Sequence, residues 1–225
     1  MSRGIENAEL GRRSDLVFQS TATTPLAVRM VEICFASVAL VLSAPIMIAI
    51  AIIIRRGTPG KALFVQRRVG VNQDIFDFVK FRTLYADARE RWPELYAYAY
   101  SDVELRLLKF KVAADPRVTP QGKWLRKSTL DELPNFWNVL TGKMALVGPR
   151  PEIPEMLPYY TGEMLQKFTV RPGITGLAQI SGRGRLGFHE TVSLDLDYVK
   201  NRSLWLDIRI LFLTLYKMLT RDGAF

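Results

Sequence analysis

The sequence has very little cysteine and histidine, and both shortages narrow the chemistry that it can support. Cys34 is the only cysteine and His189 the only histidine among 225 residues. A single cysteine excludes an internal disulfide and any multi-cysteine metal site, and a single histidine excludes the HExxH zinc motif. Oxygen ligands would therefore have to hold any metal ion, and Mg²⁺ is the natural candidate. The sequence also has no internal repeat and no low-complexity tract.

Acidic side chains are outnumbered by basic ones. The chain has 31 Lys and Arg against 22 Asp and Glu, which gives a formal net charge of +9. An apolar fraction of 48% in 225 residues suits one folded domain of ordinary size. The excess positive charge predicts a partner rich in phosphate, which could be a nucleic acid, an anionic lipid or a nucleotide.

One stretch lacks charge altogether. Residues 33–54, ICFASVALVLSAPIMIAIAIII, carry no charged side chain, and such a run predicts insertion into a membrane. A straight helix of this length would cover about 33 Å, enough to cross a hydrocarbon core of about 30 Å. Pro45 removes a backbone hydrogen bond in the middle of the run, and Ser43 is close enough to help re-satisfy the broken turn. Arg29 precedes the run and Arg55 follows it, so a re-entrant hairpin would leave both ends on the positive cytoplasmic side, whereas a kinked spanning helix is the alternative.

The rest of the chain divides into an arm and a mixed domain. Residues 1–25 are polar and predict a disordered arm. The stretches ALFVQRRVG and IFDFVKFRTL predict two strands joined through residues 71–74. Alternation along the second strand places Lys80 and Arg82 on one face, as a phosphate clamp or as the charged guard of an edge strand. The last stretch, LWLDIRILFLTLYKMLT, predicts an amphipathic helix that lies on a membrane or on the protein.

A carboxylate pair lies within a basic stretch, RKSTLDELPNFWNVL. Pro134 is tolerated in the first turn of a helix, so we expect a helix from about Asp131 to about Leu140. Taken alone, Asp131 and Glu132 suit an N-cap and an ordinary first-turn acid. Adjacent helical positions point about 100° apart, so the two carboxylates would take different roles, one attacking phosphorus and one holding a metal or a second ligand. The basic surroundings favour this chemistry, because positive charge is needed to bring two anions together.

Later stretches add further charged side chains. LVGPRPE offers Arg150 between two prolines, and VRPGITGLAQISGRGR offers Arg171 and Arg183 among glycines that let backbone N–H groups approach an anion. A turn-rich loop would show the same glycine pattern. LDLDYVKN adds Asp195, which suits a metal site, a sugar-hydroxyl site or simply the start of a helix.

Together these stretches resemble the small monotopic bacterial sugar transferases, phosphoglycosyl transferases that move a sugar-1-phosphate onto polyprenyl phosphate. The resemblance rests on the proline-broken apolar segment and on KFRTL, DPRVTPQGKWLRKSTLDELPNFWNVLTGKMALVGPRPE, RPGITGLAQISGR and SLDLDYV. It implies an α+β, mostly α fold, with a re-entrant membrane helix hairpin at residues 26–56. A compact catalytic domain at residues 57–225 would follow, with a small β-hairpin and amphipathic interfacial helices. The protein would lie in the bacterial inner membrane with its catalytic part facing the cytoplasm.

The resemblance also implies a reaction. A UDP-sugar would donate its sugar-1-phosphate to polyprenyl (undecaprenyl) phosphate, with Mg²⁺ as cofactor, and so initiate exopolysaccharide or other glycan synthesis. Asp131 would be the nucleophile of a ping-pong scheme with a covalent aspartyl phosphosugar, and Glu132 would orient the acceptor or join Asp131 in holding Mg²⁺. The donor would contact a set of charged side chains: Lys80, Arg82, Arg126, Arg150, Arg171, Arg183 and Asp195.

Several features depart from the family pattern. Glu32 stands where the family usually has Asp, and Ala44 separates Ser43 from Pro45, which are the expected break in the membrane helix. Two rival hypotheses are a Mg²⁺-dependent membrane phosphoanhydride hydrolase and a basic, membrane-anchored binding module. The basic residues are interleaved with prolines and acids, which counts against nucleic acid as the partner. A homodimer, the identity of the sugar and the glycan pathway stay open.

Overall fold

The computed structural model describes residues 24–108, 115–182 and 185–220. These residues are mostly helical, with two small two-stranded sheets, in agreement with the expected α+β, mostly α composition. The predicted N-terminal arm, residues 1–25, lies almost entirely outside the described residues. The boundary expected near residue 57 between membrane segment and catalytic domain stays a prediction.

The elements follow one another along the chain with short connections. The α-helices are α1 (Leu26–Gly57), α2 (Ala88–Arg91), α3 (Asp102–Leu107), α4 (Pro120–Ser128), α5 (Phe136–Leu140), α6 (Leu177–Gly182), α7 (Phe188–Asn201) and α8 (Leu204–Thr220). The strands are β1 (Leu63–Val69), β2 (Ile75–Phe81), β3 (Ala145–Val147) and β4 (Gly173–Thr175). The 3₁₀ helices are Val71–Gln73, Pro93–Tyr96, Leu130–Asn135, Pro154–Tyr159 and Gly162–Thr169.

The predicted β-hairpin is confirmed. Strands β1 and β2 pair antiparallel, with Leu63 opposite Phe81 and Val69 opposite Ile75. Period-two alternation turns Phe76 and Phe78 of β2 into the core, because successive strand side chains point to opposite faces. The second sheet is a short parallel pair in which Ala145 lies opposite Gly173 and Val147 opposite Thr175.

The main core lies between β2, α5, β3, α7 and α8. It is built from large apolar side chains of all five elements, including Phe78, Val139, Leu146, Tyr198 and Ile210. Burying a side chain of this size contributes about 1.5–3 kcal/mol, so these contacts carry much of the stability. The same cluster includes Ala36 of α1, which attaches the apolar helix to the globule.

The apolar segment forms one helix, α1, that includes Pro45. The buried residues Ala36, Ile50 and Ile54 fall on one side, so both halves of α1 present the same face to the globule. The hydroxyl of Ser43 donates to the carbonyl of Leu40 at 3.5 Å. Helix α1 is long and apolar enough to cross a membrane. The re-entrant hairpin is therefore not confirmed and stays a proposal.

Buried charges fix the start of α1. Glu32 accepts a hydrogen bond from the N–H of Leu146 at 3.2 Å, and Arg29 and Arg171 each lie 3.3 Å from its carboxylate. Arg29 also donates to the carbonyl of Leu140 at the end of α5 at 3.0 Å. Glu32, together with Arg29, thus anchors α1 to β3 and α5.

The last predicted helix is confirmed as α8, and it packs on the protein. Ile210 of α8 is buried against the core, and Lys217 donates to the carbonyl of Ile180 at 2.7 Å. The opposite side is apolar and exposed, with Trp205, Phe212 and Leu219 among its side chains.

Candidate active site

The acid pair lies in a turn that the proline shapes. Helix α4 ends at Ser128, its C-cap Thr129 adopts a left-handed conformation with φ 59°, and the chain continues as the 3₁₀ helix Leu130–Asn135. The expected single helix from Asp131 to Leu140 is wrong, because α-helix begins only at Phe136. Pro134 has no N–H for an α-helical bond, so the chain takes the tighter 3₁₀ form through it.

Asp131 is a buried carboxylate without a hydrogen-bond donor. It is 7% exposed, and no group in the described part of the chain donates a hydrogen bond to its side chain. Burial raises the pKa of Asp131 to about 6, and the neighbouring charge of Glu132 adds to the rise. The charges of Lys80, Arg150 and Arg126 act in the opposite direction. Asp131 is therefore an unpaired carboxylate under the influence of three cations, and an ionised carboxylate in such a setting can act as an oxygen nucleophile.

Glu132 has a different environment. Its carboxylate accepts a hydrogen bond from Arg150 at 2.8 Å. Burial would raise the pKa of Glu132, but the charges of Arg150, Lys80 and Arg68 outweigh burial and hold that pKa below its usual value. In turn Glu132 raises the pKa of Arg150. Of the two adjacent acids, one is thus paired with an arginine and the other is not.

Two further predicted cations lie near the acid pair and form a basic cluster with Arg150. Lys80 comes from the inner face of β2, and burial, followed by repulsion from Arg68 and Arg150, lowers its pKa to about 8. Arg126 comes from α4, where its Nε donates to the hydroxyl of Thr83 at 3.1 Å. The structure thus brings Lys80, Arg126 and Arg150 close enough for their charges to act on Asp131, and their roles in binding stay a prediction.

Arg68 is a member of the cluster that the sequence reasoning missed. Its Nη1 donates to the carbonyl of Pro151 at 2.8 Å and its Nη2 to the side chain of Gln66 at 2.9 Å. Burial, with Arg150 second, lowers its pKa to about 10. The sequence did contain a pattern that could have identified Arg68, because alternation along β1 puts Gln66 and Arg68 on one face. Arg67, on the other face, is exposed and lies 3.9 Å from Asp77.

Arg82 is outside the cluster, which corrects the expectation of a clamp with Lys80. Its Nε donates to the carbonyl of Lys61 at 2.7 Å and its Nη2 to the carbonyl of Thr58 at 3.0 Å. Strand β2 ends at Phe81, so the alternation that aims Lys80 does not extend to Arg82. Arg82 instead holds the turn between α1 and β1.

The other predicted contacts have different positions. The guanidinium of Arg171 pairs with Glu32 at the start of α1. Asp195 is 0% exposed, in the middle of α7, and lies 3.0 Å from the ammonium of Lys167. Both side chains thus point into buried ion pairs. Arg183 lies outside the described residues.

The acid pair fits Mg²⁺ only together with a substrate. Within residues 24–108, 115–182 and 185–220, no group of three or more His, Cys, Asp or Glu side chains could hold a metal ion. Mg²⁺ commonly takes one or two carboxylates and completes its shell with water and substrate phosphates. Asp131 and Glu132 would provide those carboxylates, and the nearby cations make an ion without a phosphate ligand unfavourable.

The arrangement suits chemistry on an anionic phosphorus centre, because an unpaired carboxylate faces several fixed positive charges. A family model described as "Bacterial sugar transferase" matches residues 23–221. The chain belongs to this family.

Several curated members of the family are similar over most of this chain. The galactosyl transferase CpsE of Streptococcus agalactiae serotype III is 40% identical over 200 residues, which cover 88% of this chain and 43% of the relative. An undecaprenyl-phosphate galactose phosphotransferase of Salmonella typhimurium is 38% identical over 200 residues, 88% of this chain and 41% of the relative. A UDP-glucose:undecaprenyl-phosphate glucose-1-phosphate transferase of Caulobacter vibrioides is 37% identical over 207 residues, 88% of this chain and 71% of the relative.

The first two of these relatives are much longer than the matched region. This family member spans about two fifths of their length. The comparison therefore concerns only the matched part of those relatives.

Proposed function

We propose that this bacterial sugar transferase moves a sugar-1-phosphate from a UDP-sugar to undecaprenyl phosphate. The observation that carries the proposal is the carboxylate of Asp131, which is buried, unpaired and subject to the charges of Lys80, Arg150 and Arg126. The names of the Salmonella and Caulobacter relatives supply the lipid acceptor, and that of the Caulobacter protein supplies a nucleotide-sugar donor. The product would initiate an exopolysaccharide or another glycan.

In the first half-reaction, a carboxylate oxygen of Asp131 attacks the sugar-bearing phosphorus of the donor. A new P–O bond forms to Asp131, the P–O bond to the nucleotide breaks, and UMP leaves with that electron pair. Lys80, Arg126 and Arg150 reduce the repulsion between the carboxylate and the diphosphate and stabilise charge on the transferring group. Bound Mg²⁺ would supply further positive charge at the diphosphate, held by Asp131 and Glu132.

In the second half-reaction, a phosphate oxygen of undecaprenyl phosphate attacks the same phosphorus. The bond to Asp131 breaks, the carboxylate is regenerated, and the sugar becomes attached to the lipid through a diphosphate. Glu132 lies next to Asp131 and accepts a hydrogen bond from Arg150, and it would orient the incoming phosphate through that pair. The two adjacent acids thereby take the two roles that their surroundings favour.

Contact with a bilayer is supported by two exposed apolar surfaces. The face of α1 turned away from the globule carries large apolar side chains, among them Val41, Leu42 and Ile48. The exposed side of α8 carries Trp205 and Phe212, as expected for a helix at a lipid interface. We place the protein in the inner membrane with the acid pair on the cytoplasmic side, and α1 as a re-entrant segment broken near Ser43 and Pro45.

The reaction is tested by product analysis. The purified protein is incubated with UDP-glucose or UDP-galactose, Mg²⁺ and vesicles that contain undecaprenyl phosphate. We expect UMP and a lipid-linked sugar diphosphate, both lost in Asp131→Asn and both retained in the control Asp197→Asn, an exposed acid of α7 whose carboxylate accepts a hydrogen bond from Asn201. Release of free sugar-1-phosphate without lipid would instead indicate the rival hydrolase.

A further inference from the structure

A buried ion-pair network lies behind the turn that carries Arg150. The ammonium of Lys167 lies 3.0 Å from Asp195 and 3.7 Å from Glu152, and it donates to the hydroxyl of Tyr160 at 3.1 Å. The side chains of Lys167, Asp195 and Glu152 are 2%, 1% and 9% exposed. None of these three groups is used by the proposed reaction, so the network needs another explanation.

Glu152 connects this network to the turn. Its carboxylate accepts hydrogen bonds from the hydroxyl of Tyr160 at 2.8 Å and from the N–H of Ile153 at 3.0 Å. Its carbonyl accepts from the N–H of Val69 at 2.8 Å. Both the side chain and the backbone of the second residue after Arg150 are therefore fixed.

The turn is also held from the side of the hairpin. Arg68 donates to the carbonyl of Pro151, and the N–H of Gly148 donates to the carbonyl of Thr175 at 2.9 Å. Pro149 and Pro151 flank Arg150, and their rings restrict the backbone on both sides of it. A shift of Glu152 would consequently move the backbone that carries the Arg150 side chain, because the restricted backbone between the two residues cannot absorb it.

Stability of the fold alone does not readily explain such a network. Taking three charges out of water is costly, and apolar side chains of similar volume often serve stability as well or better. A catalytic group, in contrast, gains from a fixed position, since a displacement of about 1 Å can cost about 100-fold in rate.

We propose that Lys167, Asp195 and Glu152 are positioning residues that fix Arg150 against Glu132 in the active site. The catalytic consequence rests on the proposed function, whereas the immobilisation of the turn does not. Asp195 thus acts through Lys167 and Glu152, and not by contact with the donor or a metal.

The test uses Glu152→Gln, which leaves Lys167 and Asp195 as one buried pair of opposite charges and so keeps the fold. Its matched control is Glu155→Gln, an exposed acid three residues further along. Both are made in the full chain, alone and together with Arg150→Ala. Amide hydrogen exchange of residues 148–153 is measured without substrate, and kcat/KM is measured with UDP-glucose or UDP-galactose and undecaprenyl phosphate.

We expect Glu152→Gln to speed exchange in residues 148–153 by about fivefold or more, with no change in α4. It should lower kcat/KM by about tenfold or more in the wild-type background, but by less than about twofold when Arg150 is already Ala. Glu155→Gln should change neither quantity. The non-additivity is decisive, because a general loss of stability would act equally in both backgrounds.

Two results would overturn the inference. One is unchanged exchange in residues 148–153 of Glu152→Gln, and the other is an equal loss of kcat/KM with and without Arg150. If the wild-type protein transfers no sugar phosphate at all, the proposed function fails, and the exchange measurement alone decides whether the network holds the turn.

Discussion

The charges around Asp131 predict a bell-shaped pH dependence of the first half-reaction. In the proposed reaction, attack requires the ionised carboxylate of Asp131, whose pKa is raised to about 6, and the ammonium of Lys80, whose pKa is lowered to about 8. As pH falls below about 6, Asp131 gains a proton and the rate declines. As pH rises above about 8, Lys80 loses its proton and the rate declines again. The optimum therefore lies between these two values.

The pH profile has an acid limb below the optimum and an alkaline limb above it, and the loss of rate along each limb follows from the same two pKa values. At pH 5 about one tenth of Asp131 is ionised, so kcat/KM should be about tenfold below its plateau. At pH 9 about one tenth of Lys80 is charged, and a similar loss is expected on the alkaline side. Lys80 also holds down the pKa of Asp131, so Lys80→Met should abolish the alkaline limb and move the acid limb to higher pH.

The assay is release of UMP from a UDP-sugar in the absence of undecaprenyl phosphate, at a series of pH values and with saturating Mg²⁺. Omitting the acceptor matters, because a phosphate monoester itself titrates near pH 6. Lys123→Met, which removes an exposed lysine of α4, is the control and should leave both limbs in place. The reasoning is refuted if the acid limb of Lys80→Met stays where it is in the wild-type protein, or if the alkaline limb survives this change.

Other substitutions and conditions separate structural charges from catalytic ones. Arg82→Met removes two hydrogen bonds to the carbonyls of Lys61 and Thr58. We expect the free energy of unfolding to fall by about 1–3 kcal/mol while kcat/KM of the folded protein stays unchanged. A large loss of kcat/KM at unchanged stability would contradict this. Arg171→Gln leaves Arg29 as the remaining ion-pair partner of Glu32 and should lower the melting temperature in detergent without changing the KM for the donor. A raised KM would show instead that Arg171 binds the donor. A chelator should abolish transfer, and added Mg²⁺ should restore it. Calorimetry should detect Mg²⁺ binding only when UDP-sugar is present. Tight binding of Mg²⁺ to the free protein would argue against the acid pair as a site that needs the substrate.

Local patterns in the sequence were enough to predict the hairpin and the last helix. Alternation in ALFVQRRVG and IFDFVKFRTL matches β1 and β2, because the side-chain period of a strand is a local property. The same holds for the apolar face of α8, which follows the period of a helix. The family resemblance, which rested on long ordered stretches, is confirmed by the match over residues 23–221.

Two features of the site could not be predicted from local patterns: contacts between residues that are distant in sequence, and the residue at which a strand ends. Arg171 and Asp195 were expected near the donor, but their partners, Glu32 and Lys167, are distant in sequence and become neighbours only in the folded chain. Arg82 lies one residue beyond the end of β2, and no period predicts where a strand stops. Arg68 shares the face of β1 that meets Arg150, which follows from the packing of the hairpin against the proline-flanked turn.

The central claim is that Asp131 carries the sugar phosphate as a covalent intermediate. The most direct test is the intact mass of the purified protein after incubation with a UDP-sugar and Mg²⁺ and without undecaprenyl phosphate. We predict a mass gain of one sugar phosphate that disappears when undecaprenyl phosphate is added and never forms in Asp131→Asn. A mass gain that persists in Asp131→Asn, or lipid-linked product formed by a protein that shows no mass gain at any time, would contradict the account.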